Sequence, residues 1–265
     1  MELGLKDKTA IVSASSSGLG KAIAMELCRE GARVMLFSPF EEQLKEAQAE
    51  IEEKTGNRPE YEAGDITKAE DIKRLVKTTT EKLGPVYALM NNTGGPSPGT
   101  FDQFCDEDWQ KAFELCLLSY IRLIRECLPI MRAGGGGRIL NSTSSSVKAV
   151  LDNLILSNTF RMGVVGLSKT LSQELGKDGI LVNVIGPGRI GTARIDQMDQ
   201  VRAEKAGKTV EEIRQSAFAG IPLGRYGKPE EYGKLAAFLL APSNTYITGQ
   251  TVLVDGGMVR VAVVA

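Results

Sequence analysis

The chain has 265 residues, 42% hydrophobic and 25% charged, with 32 Lys and Arg against 33 Asp and Glu for a formal net charge of −1. This is ordinary globular composition, long enough to bury a substantial core. The two signs are mixed along the chain, so no basic stripe points to nucleic acid or to an anionic membrane. Histidine is absent, which removes every His-based triad and most transition-metal sites, and no metal is expected.

The N-terminal MELGLKDKTAIV has no basic segment leading into an apolar signal core, and no apolar run reaches the roughly 18 residues that span a bilayer. A cytoplasmic protein is expected. Cys28, Cys105, Cys116 and Cys127 show no CxxC spacing, so they read as reduced thiols packed as small apolar side chains.

In chain order, short apolar runs alternate with longer amphipathic ones. TAIVSAS precedes GKAIAMELCREGA, RVMLFS precedes EEQLKEAQAEIEEKTG, RPEYEAGD precedes AEDIKRLVKTTTEKLG, and VYALMNNTGG precedes one long helix from about Asp106 to Met131. GRILNSTS then leads to a helix within DNLILSNTFRMGVVGL, LVNVIGPG follows, and TVLVDGG is the last strand. Strands alternating with helices predict right-handed crossovers and a parallel sheet covered on both faces. The expected fold is α/β: a single Rossmann-type, doubly wound domain over 1–265, with about seven strands. Ile190 to Arg225 departs from the alternation with two short helical patterns, and reads as a substrate lid beyond the carboxyl end of a strand.

The first strand runs into Ser13-Ala14-Ser15-Ser16-Ser17-Gly18-Leu19-Gly20, where a helix begins. Small residues let the backbone approach a diphosphate, and unpaired N–H groups at a helix start favour its charge. Asp65 and Ile66 of GDIT stand at the end of the third strand, where a carboxylate can accept a hydrogen bond from an adenine amino group. Asn92, Thr93 and Gly94 end the fourth strand, and Pro187, Gly188, Ile190 and Thr192 follow the sixth. These loops converge on one crevice.

Together these stretches closely resemble the short-chain dehydrogenase/reductase family, in particular its 3-oxoacyl-(acyl-carrier-protein) reductases. SASSSGLG stands for the family's TGxxxGxG and NNTG for its NNAG, while NxxxPGxxxT is matched from Asn183 to Thr192 and VDGG from Val254 to Gly257. The resemblance covers essentially the whole chain and implies a nicotinamide cofactor. In family register, the position that carries an acid in NAD users falls on Ser38 and a basic position of NADP users on Pro39, with Ser17 at another. NADP and NAD therefore both remain open, with NADP slightly preferred. Phe40 is expected to cover the sheet edge rather than to pack on adenine.

Carried over residue by residue, the family's catalytic serine falls on Ser144. Its tyrosine and lysine fall on Ser157 and Arg161, and its asparagine on Cys116, which is not expected to be catalytic. An aliphatic hydroxyl titrates far above a phenol, and a guanidinium is a poor proton shuttle, although it can hold ribose hydroxyls or stabilise an alkoxide. Water relayed by Ser144 and Ser157, Asp152, or Lys148 are the candidate proton sources. Three functions stay open: an NAD(P)-dependent oxidoreductase of a small or medium carbonyl or alcohol substrate, a dinucleotide-binding protein with little turnover, and a non-redox lyase or epimerase. The resemblance also implies a homodimer or homotetramer, built on the helices around Trp109–Met131 and Ser157–Gly176 and joined by the tail MVRVAVVA.

Overall fold

The computed structural model describes residues 2–261. Seven strands form one sheet: β1 (Thr9–Ser13), β2 (Arg33–Ser38), β3 (Glu60–Ala63), β4 (Val86–Asn91), β5 (Gly137–Ser142), β6 (Ile180–Pro187) and β7 (Thr251–Val254). Every pairing is parallel, in the order β3-β2-β1-β4-β5-β6-β7. The order reverses between β1 and β4, which opens a crevice at the carboxyl ends of the strands where such sheets bind ligands.

Helices cover both faces, as the fully buried TAIVS of β1 requires. On one face lie α1 (Gly18–Arg29), α2 (Glu41–Thr55) and α9 (Pro229–Leu240), which contribute Ile23, Leu27, Leu44, Ile51, Tyr232 and Leu240 to one core. The other core is filled by Ile72 and Leu75 of α3 (Ala69–Leu83), Leu123 and Cys127 of α5 (Ser119–Ala133) and Leu175 of α6 (Ile155–Leu175). The Ile190–Arg225 insertion contains α7 (Ala193–Ala206) and α8 (Val210–Ala219), as its two patterns predict. Thr209 and Glu212 cap α8 reciprocally, and Gly191 N–H donating to the Gly227 carbonyl at 2.8 Å ties the start of the insertion to its far end.

The helix expected to run unbroken from Asp106 is interrupted. A first segment, α4 (Asp106–Phe113), passes into a π-helical turn, Glu114–Leu118, before α5 begins. The widened turn contains Cys116, and such turns are concentrated at functional sites. Two further expectations are corrected. Cys105 is exposed at the N-cap of α4 rather than packed as an apolar side chain, since its thiol donates to Asp108 Oδ2 at 3.2 Å. Phe40 caps α2 and is 59% exposed, so it covers no sheet edge. Of the tail, the residues after Val261 lie outside those described.

Candidate active site

The nucleotide end is built around the turn from β1 to α1. Gly20 admits no substitute there, because a Cβ would stand 2.1 Å from the Ala14 carbonyl oxygen and 2.9 Å from Ser15 Cα. Ala14, where the family motif has glycine, is held at φ +47°, a left-handed conformation that costs a side-chain-bearing residue about 1–2 kcal/mol. Ser17 caps α1 without a side-chain hydrogen bond to its first turn. The N–H groups of the first turn of α1, at Gly18, Leu19 and Gly20, are therefore left without a side-chain cap, the arrangement that suits a helix start to an anion.

Three serines of the predicted cofactor set point into the protein. The Ser13 hydroxyl donates to the Asn92 carbonyl at 2.8 Å and accepts from Asn92 N–H at 2.8 Å, fastening β1 to β4. Ser15 Oγ donates to the Val12 carbonyl at 2.7 Å and accepts from Phe37 N–H at 3.0 Å. Ser38 is buried, 3.1 Å from Ser16 Oγ, and accepts from Phe40 N–H. At Ser13 and Ser15 it is thus backbone, not hydroxyl, that can face a diphosphate. Beyond β2 no carboxylate occupies the Ser38 or Pro39 position. The nearest acids, Glu41 and Glu42 on α2, are both paired with Lys45. Asp65 gives Oδ1 to the N–H and hydroxyl of Thr67, each at 2.8 Å, which fixes its loop, while Ile66 packs against the second core. With hydroxyls and no acid at this end, the residues present fit a nicotinamide dinucleotide.

The chemical end is a cavity of about 460 Å³ at the carboxyl ends of the central strands. It gathers predicted residues from five segments: Leu19; Asn92 and Thr93; Ser144; Ser157 and Arg161; and Pro187, Gly188, Ile190 and Thr192. Asp152 joins them, whereas Lys148 is exposed and outside the lining. Lys148 follows the short 3₁₀ turn Ser145–Val147, which carries it past the rim.

How α6 is seated explains the position of Ser157 and Arg161. Asn91 Nδ2 donates to Asn141 Oδ1 at 2.7 Å, and Asn141 Nδ2 donates to Ser168 Oγ at 2.8 Å, a buried amide chain from β4 through β5 to α6. Ser144 Oγ accepts from Ser146 N–H at 3.1 Å and still has its own proton to donate. Ser157 is buried and its hydroxyl has no hydrogen-bond partner among the described residues, which leaves it to the cavity.

Arg161 is 5% exposed. Nη1 donates to the Ser142 carbonyl at 2.9 Å and to Tyr120 Oη at 3.3 Å, Nη2 donates to the Gly94 carbonyl at 3.2 Å, and Nε is unpartnered. No carboxylate pairs with it among the described residues. Tyr120, which inspection of the sequence missed, is fully buried and donates to the Ser142 carbonyl at 3.0 Å. Burial pushes its phenol up, only partly offset by the Arg161 charge. The one available signal was its place a single helical turn beyond Cys116. Cys116 itself is fully buried, and burial raises its thiol despite the opposing charges of Arg161 and Arg194, so it remains a neutral filler.

The sequence profile of the family described as Enoyl-(Acyl carrier protein) reductase matches residues 13–259. The chain belongs to the short-chain dehydrogenase/reductase family. Among curated short-chain relatives, the 3-oxoacyl-(acyl-carrier-protein) reductase FabG of Thermotoga maritima is 30% identical over 257 residues, covering 96% of this chain and 99% of the relative. Among solved structures, L-sorbose reductase from Gluconobacter frateurii, complexed with NADPH and L-sorbose, superposes with a TM-score of 0.94 at 33% identity, covering 99% of this chain and 100% of the other. Actinorhodin polyketide ketoreductase with NADPH superposes at 0.91 with 30% identity, covering 96% and 98%. The short-chain dehydrogenase/reductase membership makes this chain an NAD(P)-dependent oxidoreductase by kind.

Proposed function

We propose that the protein is an NADP(H)-dependent reductase or dehydrogenase of a carbonyl/alcohol pair in which Ser144, Ser157 and Arg161 replace the usual proton-donor set. The observation that carries this reading is the buried Arg161 guanidinium, without a carboxylate partner among the described residues, lining a cavity with two available hydroxyls. When bound, the reduced nicotinamide supplies a hydride to a carbonyl carbon. The chain's own residues then handle the developing oxyanion. Arg161 sets a fixed positive charge beneath it, and Ser144 and Ser157 can each donate a hydrogen bond. Neither hydroxyl releases its proton outright near neutral pH, so the proton comes from water ordered between them or through Asp152 on the same wall.

NADP(H) is preferred over NAD(H) in this proposal because the β2 end offers Ser16 and Ser38 and no acid to bind bare ribose hydroxyls. Solved relatives carrying NADPH support the same choice. Free thiols at Cys28, Cys116 and Cys127 fit a reducing compartment such as the cytoplasm. A homodimer or homotetramer is also proposed. The outward face of α6, with Met162 49% exposed, supports that helix as part of the contact. Light scattering is expected to give at least twice the 28.6 kDa chain mass, and a stable monomer at micromolar concentration contradicts it.

The test is reductase activity against a ketone panel with each cofactor, together with Ser157→Ala. NADPH is expected to exceed NADH in kcat/KM by at least about tenfold, a difference of about 1.4 kcal/mol. Ser157→Ala should lower kcat by about 10-fold to 100-fold while leaving the NADPH Kd unchanged. An unchanged kcat removes Ser157 from the proposed set.

A further inference from the structure

The charge on the cavity wall is one-sided. Arg161, Arg189, Arg194 and Arg202 line it, against the single carboxylate of Asp152. Arg189 is already engaged, since Asp199, fully buried on α7, lies 3.6 Å from its Nη1 and also accepts from the Tyr226 hydroxyl at 2.8 Å. Arg194 and Arg202 have no ion pair and no side-chain hydrogen bond among the described residues. Both lie on α7, eight residues apart, and both line the cavity. Arg194 reaches toward the loop after β4, where a Cβ built on Gly95 would stand 2.7 Å from its Nη2. Desolvation and then the like charge of Arg189 hold the Arg202 guanidinium below its ordinary range.

Arg194 and Arg202 are exposed to solvent in the cavity wall, where positive charge lacking a protein counter-ion attracts an incoming anion. The buried Arg161 adds a second, independent sign of the same deficit, because its three acceptors are all neutral oxygens and Nε has none. Between the arginines the wall is apolar, with Leu151, Leu154, Ile195 and Met198.

We infer that the substrate is a carboxylate-bearing oxo compound, or the corresponding hydroxy acid, whose apolar body lies against α7 and whose carboxylate is held by Arg194 and Arg202. This deepens the oxidoreductase reading and rests on it for the chemistry, though not for the binding. The reaction remains a two-electron exchange: the carbonyl carbon gains the hydride, its oxygen gains a proton drawn from water, and NADPH leaves as NADP⁺. The carboxylate is unchanged throughout. Planar guanidinium groups suit it because each can hold both oxygens at once.

The experiment uses the NADPH-loaded protein and two pairs of probes. Binding is read by calorimetry with cyclohexanecarboxylate and cyclohexanecarboxamide, which cannot be reduced at a carbonyl. Turnover is read with benzoylformate and its methyl ester. The carboxylate is expected to bind at least about tenfold more tightly than the amide, and the acid to be favoured over the ester by a similar ratio in kcat/KM. Arg202→Gln and Arg194→Gln should each cut those ratios about tenfold, with Arg202→Lys retaining part of the preference. Equal binding of carboxylate and amide overturns the inference. So does an Arg194→Gln and Arg202→Gln pair whose only effect is weaker NADPH binding, which would assign both side chains to the cofactor diphosphate. Carboxylate-selective binding without any turnover upholds the anion site and removes the oxidoreductase reading. Turnover of both ketones without preference for the acid does the reverse.

Discussion

Replacing Arg161 by methionine is expected to leave the protein as stable as the native chain, or more so, while lowering kcat/KM by about 10²–10³. The stability half follows from what the guanidinium touches. The Ser142 carbonyl still accepts from the Tyr120 hydroxyl after the change, the Gly94 carbonyl still accepts from Thr93 Oγ1 at 2.8 Å, and the Tyr120 hydroxyl keeps its donor bond. No buried polar group is orphaned, whereas an unpaired buried charge and its desolvation cost are removed. Exchanging buried ionic groups for apolar ones of similar volume is often neutral or stabilising by about 1–4 kcal/mol. The activity half follows because a fixed charge beneath a developing oxyanion is lost. Thermal melting and steady-state kinetics on the same preparation read both effects. A large fall in melting temperature with near-native turnover would make Arg161 a structural tie, contrary to the role proposed for it.

Gly20→Ala should have the largest effect at the nucleotide end. The added methyl meets the Ala14 carbonyl oxygen at 2.1 Å, its carbon at 2.8 Å and Ser15 Cα at 2.9 Å, all backbone atoms that cannot swing aside. The turn must open, and Ala14 at φ +47° already holds a left-handed conformation there. The expected result is an NADPH affinity lowered by about 100-fold or more, or roughly 2.7 kcal/mol. A loss of about 1–3 kcal/mol of folding stability accompanies it through overpacking. Fluorescence titration of NADPH and a denaturant melt check the two parts, and a variant that binds NADPH as the native chain does would remove the turn from the cofactor site.

The fold was legible because its signals are local and repeated. Each of the first six strands, such as TAIVS or RVMLFS, is followed by a helix whose apolar period is its own evidence, and the Gly18-x-Gly20 turn declares itself by residue type. What escaped depends on partners distant in sequence. The hydroxyls of Ser13 and Ser15 look free in SASSS, yet their acceptors and donors include Asn92 and Phe37 across the sheet. The π turn at Glu114–Leu118 adds one residue to one turn, and that leaves the apolar pattern of FELCLLSYI readable as plain helix. Tyr120 was invisible for the same reason, since its role comes from meeting Arg161 on another helix. The unpaired state of Arg194 and Arg202 could not be read either. Nearby acids exist in the same segment, and only the structure shows Asp199 engaged with Arg189, and Asp196 bonded to Arg214 at 2.7 Å.

Whether this altered set of groups still performs hydride transfer is decided by isotope transfer from NADPH deuterated on the transferred face of its nicotinamide ring. With benzoylformate as acceptor, the account predicts one deuterium on the carbinol carbon of mandelate, formed in step with NADPH oxidation. NADPH bound tightly, with no oxidation and no deuterium in any product across the ketone and oxo-acid panel, would contradict it.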